Sequence, residues 1–293
     1  MSFYNFNIKD KKKNMLSIII CSRNKNISVE LKDNIKFTIG IEYELVFIDN
    51  SHNEYSIFQA YNEGVSRAKY PYLCFMHEDI LFQTKEWGAK VLSHFENDNV
   101  GLIGVIGTHL ISKYPCGWTD TGLTSGHNVS VNEYHCDLSR FGKKTYVEAV
   151  ATDGLWQCMP RSLFDKVRFD DITFDGFHCY DIDICLQVRS INKQVIIISD
   201  ILINHNSKGN WDTSWIESTY KLYKKWENEL PQIAGIDLSS EEINLRTELA
   251  NNAFTWTIEY IKSRDELKRV LSSNAYKLGR ALLAPFKTLK RIF

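Results

Sequence analysis

Tyr72-Leu-Cys-Phe-Met-His-Glu-Asp79 is an unbroken apolar run that stops in an imidazole and two carboxylates. Five apolar residues without polar alternation predict a strand buried on both faces, and such strands belong to parallel sheets covered by helices. Neighbouring runs repeat the pattern. Leu16-Ser-Ile-Ile-Ile-Cys21 stops at Ser22-Arg23-Asn24, Leu45-Val-Phe-Ile48 at Asp49-Asn50-Ser51, and Val100 to Ile106 at Gly107-Thr108. Between the second and third strands, Tyr55 to Ala68 sets Phe58, Tyr61 and Val65 at helical spacing. Strands alternating with helices imply right-handed crossovers and a mostly parallel sheet. Ligands of such sheets bind beyond the carboxyl ends of the strands, where Ser22, Asp49 and His77 to Asp79 all fall.

Further along, Lys113 to Lys144 lacks a clear period and reads as a long loop over that edge. Gln194 to Ser199 is another strand, leading through Asp200-Ile-Leu-Ile203 to Asn204-His205-Asn206. Helices follow: Trp215 to Leu230, then a capping box at Ser239-Ser-Glu-Glu242 that opens a helical pattern reaching the C-terminus. The expected organisation is an N-terminal extension (1–15), an α/β domain (16–210) and a C-terminal helical region (211–293) with a basic amphipathic tail (275–293). No internal repeat is read.

With 293 residues, 44% hydrophobic and 13% aromatic, the chain has enough apolar material for a sizeable core. A net charge of -1 gives nucleic acid no purchase as the main partner. The charge is unevenly spread: Lys262 to Phe293 has nine Lys or Arg against Asp265 and Glu266, giving +7 and leaving -8 for Met1 to Ile261. An acidic body that binds a phosphorylated ligand needs a cation to help. Seven cysteines without a C-x-x-C pair predict a reducing, cytoplasmic setting. The run Leu16 to Cys21 behind Lys9 to Lys13 is too short for a signal peptide, and no run approaches the roughly 20 apolar residues of a membrane span.

Three polar clusters are candidates for chemistry. His77-Glu78-Asp79 suits a hard divalent cation and phosphate oxygens, or else is a solvated turn. In Tyr180-Asp-Ile-Asp183, at the start of a helical pattern, Asp181 is a candidate general base and Asp183 a structural acid; the competing reading of Asp181 is a helix N-cap. His205 follows a strand and is either a surface residue or, if the fold brings it to Asp79, a second ligand in an Mn or Mg site.

Taken in order, these segments resemble the family 2 glycosyltransferases of the GT-A fold, a Rossmann-like, mostly parallel sheet flanked by helices, and especially the streptomycin-biosynthesis glycosyltransferase-like branch. The resemblance spans roughly Leu16 to Gly209. It rests on the polar turn after the first strand, Asp49, Asn62-Glu-Gly64 leading to the strand that ends at Asp79, and the later Tyr180-Asp-Ile-Asp183. It implies donor contacts from Ser22, Arg23, Asn24, Asp49, Asn62, His77, Glu78 and Asp79, a divalent cation on Asp79 and His205, and Asp181 as base. Asp153-Gly-Leu-Trp156 resembles the acceptor-side segment, so Asp153, Gly154, Trp156 and Tyr180 are expected there. Trp156 offers a face for sugar stacking unless it is a core residue.

The sequence departs from the family pattern three times. His77 stands where the first Asp of Asp-x-Asp is usual, Tyr61 where relatives often place Arg, and Tyr180 where Glu precedes the Asp. The activity implied is inverting transfer from a nucleotide-diphosphate sugar to a saccharide or lipid-linked saccharide, as in bacterial surface polysaccharide or glycoconjugate synthesis. In the tail, Leu278, Leu282, Phe286, Leu289 and Phe293 fall on one face, with Lys277, Arg280, Lys287, Lys290 and Arg291 opposite and Pro285 as a kink. That face either lies in the plane of a membrane at its inner surface or packs on the domain. A nucleotidyltransferase is disfavoured because Ser22 to Asn26 lacks glycine, and a nicotinamide dehydrogenase because G-x-G-x-x-G is missing. A non-catalytic nucleotide-sugar-binding protein is the remaining alternative.

Overall fold

The computed structural model describes residues 15–126, 138–205 and 211–282, together with the backbone alone of 128–130 and 283–289. The central sheet has seven strands: β1 (Met15–Ser22), β2 (Glu42–Asp49), β3 (Tyr72–Met76), β4 (Val100–Gly104), β5 (Tyr146–Ala149), β6 (Trp156–Pro160) and β7 (Gln194–Ile198), in the order β5-β7-β4-β6-β3-β1-β2. Five run in one direction. β6 is antiparallel to both β3 and β4, and β5 to β7. The sheet is thus mostly parallel, as the apolar runs predict. The reversed strand β6 escapes a sequence reading because Trp156-Gln-Cys-Met-Pro160 is short and interrupted by Gln157.

Helices cover both faces. On one, α1 (Val29–Thr38) is opened by Ser28, whose hydroxyl accepts from the Leu31 N–H. On the other, α2 (Ile57–Arg67) carries a full capping box from Ser56 and Gln59. Gly64 lets α2 lie close on β1: a Cβ there would come 2.3 Å from Cγ2 of Ile19. The Asn62-Glu-Gly64 motif is therefore architectural here, since Asn62 donates to the Phe169 carbonyl at 2.8 Å. Helix α3 (Trp87–His94) seats Trp87 in the core with α1, and α4 (Tyr180–Ser190) packs Ile182, Ile184, Cys185 and Val188 in the other cluster.

The fourth predicted strand is divided: the chain turns at Val105, and Ile106–Thr108 joins a three-stranded sheet with Ala151–Thr152 and Thr124–Gly126. A second small sheet pairs Ile80–Phe82, Ile203–His205 and Asn128–Ser130. The long loop expected over Lys113 to Lys144 therefore contains strand segments; its residues 127 and 131–137 lie outside the described part. The C-terminal region is α5 (Thr213–Lys225), α6 (Ser240–Ser272) and α7 (Asn274–Leu289). The helix expected to run unbroken from Ser239 divides at Ser273, whose ψ of 147° is extended. Leu278 and Leu282 are exposed on α7. The side chains of Pro285, Phe286, Leu289 and Phe293, like the extension 1–14 and Asn206 to Gly209, fall outside the described residues.

Candidate active site

The strand β3 delivers His77, Glu78 and Asp79 to the carboxyl edge, and the chain then forms Ile80–Phe82. That segment pairs antiparallel with Ile203–His205, setting His205 opposite Ile80. This pairing brings two distant residues together: Nε2 of His205 lies 3.5 Å from Oδ1 of Asp79. Nδ1 of His77 is 4.0 Å from the same oxygen. One donor atom from each of His77, Asp79 and His205 lies within 4.8 Å of the others. Burial, the largest single influence, would raise the Asp79 carboxyl, but the bond to His205 and the nearby charges of His205 and His77 together exceed it and the pKa falls. Burial, again the largest single influence, would lower His205, and the bond to Asp79 together with the charges of Asp79 and Asp153 raises it instead. The set fits a first-row divalent cation, with imidazole nitrogens and a carboxylate on one side and room for exogenous oxygens on the other. His77, expected on the donor, thus stands among the candidate ligands.

Tyr180 joins this cluster to the acid of α4. Its hydroxyl lies 2.8 Å from Nε2 of His77 and donates to the Gly154 carbonyl at 3.1 Å. A phenol has one proton. With that proton on Gly154, Tyr180 accepts from Nε2–H of His77, and Nδ1 is left with its lone pair on the Asp79 side. Gly154 also donates its N–H to Oδ2 of Asp181 at 3.0 Å, while the Ile182 N–H donates to Oδ1 at 3.0 Å. A side chain at 154 would break the arrangement, its Cβ falling 2.2 Å from the Tyr180 hydroxyl. Burial, followed by the charge of Asp153, pushes Asp181 up to about 7 against the pull of its backbone donors. Asp181 is thereby a carboxyl able to take a proton near neutral pH.

The three departures from the family pattern prove to be one packed unit. Tyr180 bonds to His77, and its ring meets that of Tyr61 edge-on, with centroids 5.5 Å apart. Tyr61 itself is fully buried between Phe75 and Phe169.

A cleft of about 990 Å³ takes in Arg23, Glu78, the three candidate ligands, Asp153, Tyr180 and Asp181. Other expected contacts lie elsewhere. Trp156 is fully buried, edge-on to Phe82 and Trp87 within the core, so it offers no face to a sugar. Asn62 is spent on Phe169, as above. Ser22 is buried and donates to the Glu78 carboxylate, which Asn24 also holds at 3.2 Å, so the pair ties the end of β1 to the end of β3. Asp49 faces solvent, where the Ser51 N–H lowers its pKa; its neighbour Asn50 is the residue of that turn on the cleft wall. Asp183 is structural as expected, through bonds to Lys225 and Trp226 at 2.7 and 2.8 Å rather than as a cap. Aromatic residues the sequence reading passed over, Trp118, Phe177 and Trp211, line the cleft. Phe177 and Trp211 are half-exposed there, and no local pattern marks them, because each belongs to a loop.

Residues 17–229 match the model of a glycosyltransferase-like family. No curated protein matches the sequence. Among solved structures, one of GalNAc-T7 with UDP, GalNAc and Mn2+ is similar at a TM-score of 0.52 and 13% identity, over 85% of this chain and 57% of that one. A structure of S. aureus TarS 1-349 is similar at 0.49 and 13%, over 80% and 70%. The chain therefore spans little more than half of the GalNAc-T7 structure, and that likeness concerns the fold, a GT-A sheet flanked by helices. The family match covers well over half the sequence, and with the strand order and carboxyl-edge cluster above it assigns the chain to this glycosyltransferase-like family.

Proposed function

We propose that this protein moves a sugar, with inversion, from a nucleotide-diphosphate sugar to an acceptor hydroxyl, using Asp181 as base and a divalent cation held by His77, Asp79 and His205. One observation carries the reading: a candidate metal set and a carboxyl poised near neutral pH face a single cleft and are linked through Tyr180 and Gly154. Asp181 takes the acceptor hydroxyl proton as the oxygen bonds to the anomeric carbon, and the bond from that carbon to the diphosphate breaks with its electron pair leaving on the diphosphate. A positioned base of this kind contributes about 10²–10⁴ in rate. A divalent cation held by His77, Asp79 and His205 would supply positive charge to the departing diphosphate. Two imidazoles among three ligands favour Mn over Mg. Arg23 and Glu78 are assigned to the donor side, and Asp153, Gly154 and Tyr180 to the acceptor side.

Membership of the streptomycin-biosynthesis-like branch is supported by motif order. To this reading belong a transferase unit of 16–210, a cytoplasmic setting and a role in bacterial surface polysaccharide or glycoconjugate synthesis, with the tail resting on a membrane; among the described residues no helix is long and apolar enough to cross one. The deciding experiment is nucleoside diphosphate release from a panel of sugar donors, with Mn, Mg or chelator. Release that requires Mn and is lost in Asp181→Asn is expected. Stabilisation by a donor without any release would identify a binding protein instead.

A further inference from the structure

The helix α6 has two apolar faces. Thr247, Ala250, Phe254 and Ile261 are buried on the body. Leu245, Leu249, Trp256, Tyr260, Leu267 and Leu271 stand 42–76% exposed. They are spaced 4, 7, 4, 7 and 4 apart, forming two rows that each repeat every eleven residues: Leu245, Trp256, Leu267 and Leu249, Tyr260, Leu271. Eleven residues make three turns plus roughly 20°, so the stripe stays within about 80° and runs nearly straight for about 39 Å. An eleven-residue apolar repeat is the signature of helices that pair along their length. Apolar exposure of this extent marks an interaction surface.

The edges of the stripe identify the occupant. At about 100° per residue, Glu241, Glu248, Glu259 and Glu266 border one side, and Arg246, Arg264 and Lys268 the other, where the capping-box Glu242 also falls at the N-terminal end. An anionic membrane would meet four glutamates beside three basic residues and gain no net attraction from the stripe's edges. A second copy laid antiparallel would set acid edge on acid edge. A second copy laid parallel sets each acid edge on the other's basic edge, with Glu241 across from Arg246 and Glu259 across from Arg264, twice over by symmetry. Glu259 and Glu266 now make exposed pairs with Lys262 and Arg269 in the same helix, and Arg246 and Arg264 each donate one N–H to a carbonyl of the body, of Thr121 and of Trp211, with further guanidinium N–H groups left for a partner. Such pairs are worth little and exchange readily. The buried face lies about 130° around the helix from the stripe, so the two bodies fall on opposite sides of a parallel pair and do not collide.

We propose that α6 is the seam of a parallel, two-fold symmetric dimer in which a second copy of this chain covers the stripe from Leu245 to Leu271. The inference does not depend on the reaction proposed above. Sedimentation equilibrium of the full chain at tens of micromolar is expected to give twice the 34.0 kDa of one copy. Leu249→Glu/Leu267→Glu, at exposed positions, is expected to give a single copy with unaltered circular dichroism. For orientation, Leu267→Cys under mild oxidant is expected to trap a covalent dimer, because a parallel in-register pair brings the two introduced thiols together. The wild-type chain, whose Cys74, Cys116, Cys158 and Cys185 are buried, serves as the background. A monomeric wild type, a dimer indifferent to the double substitution, or flotation of a monomer on anionic phosphatidylserine vesicles that needs the stripe would each overturn the proposal. A dimer in which the introduced thiols fail to link would overturn its parallel register.

Discussion

Replacing Asp181 by Asn should abolish transfer and yet stabilise the protein in alkaline solution, and the structure gives the size of the effect. Burial and the neighbouring Asp153 raise the carboxyl from 3.8 to about 7. At 1.36 kcal/mol per unit, ionising it within the folded chain costs at most about 4 kcal/mol. A carboxyl whose folded pKa lies above its unfolded value contributes stability that is full below about pH 4 and is lost as the pH climbs through about 7. Asn escapes this loss but leaves one of the Gly154 and Ile182 N–H donors facing an amide nitrogen, a penalty of about 1–2 kcal/mol. The variant should therefore be slightly less stable than wild type at pH 4–5 and about 2 kcal/mol more stable at pH 8.5. Urea unfolding in chelator at pH 5, 7 and 8.5 reads the difference directly. A variant whose offset from wild type stays constant over that range would show that the carboxyl titrates normally and would refute a base poised near neutral pH.

Asp79→Ala removes the carboxylate shared by both imidazoles and should weaken Mn binding, and with it Mn-dependent donor binding, by at least about a hundredfold in calorimetry, at the upper end for changes to a ligand's surroundings. Unaltered metal-dependent donor binding would refute the metal assignment. Tyr180→Phe frees His77 to place its proton on either nitrogen and should lower Mn affinity about tenfold while the circular dichroism stays the same; electron paramagnetic titration of Mn measures it, and undiminished affinity would refute the role of Tyr180 in positioning His77 as a ligand. Truncation before Tyr276 should reduce flotation with anionic liposomes if the basic tail rests on a membrane. Equal flotation of both chains would remove that role.

Much of the fold was legible because each parallel strand is a local apolar run with a polar stop. Leu16 to Cys21, Leu45 to Ile48 and Tyr72 to Met76 are all strands, and their stops lie along one edge. The roles of individual polar residues were less legible. Ser22, Asn62 and Trp156 occupy expected places in the chain, yet their side chains serve β3, the Phe169 carbonyl and the core. Position in a motif fixes where a Cα goes. It does not say which neighbour claims the side chain.

The eleven-residue spacing on α6 is wholly present in the sequence, but it shows itself only once Thr247, Phe254 and Ile261 are seen to use the opposite face. The amino-acid sequence by itself determined the mostly parallel sheet and the acidic stop after Met76, since these follow from local patterning and chain order. Only the tertiary structure decided that His77 and Tyr180, 103 residues apart and each a departure from the family, form one hydrogen bond. It also decided that His205 reaches Asp79, because strand pairing at long range, and no property of the residues themselves, sets which side chains meet.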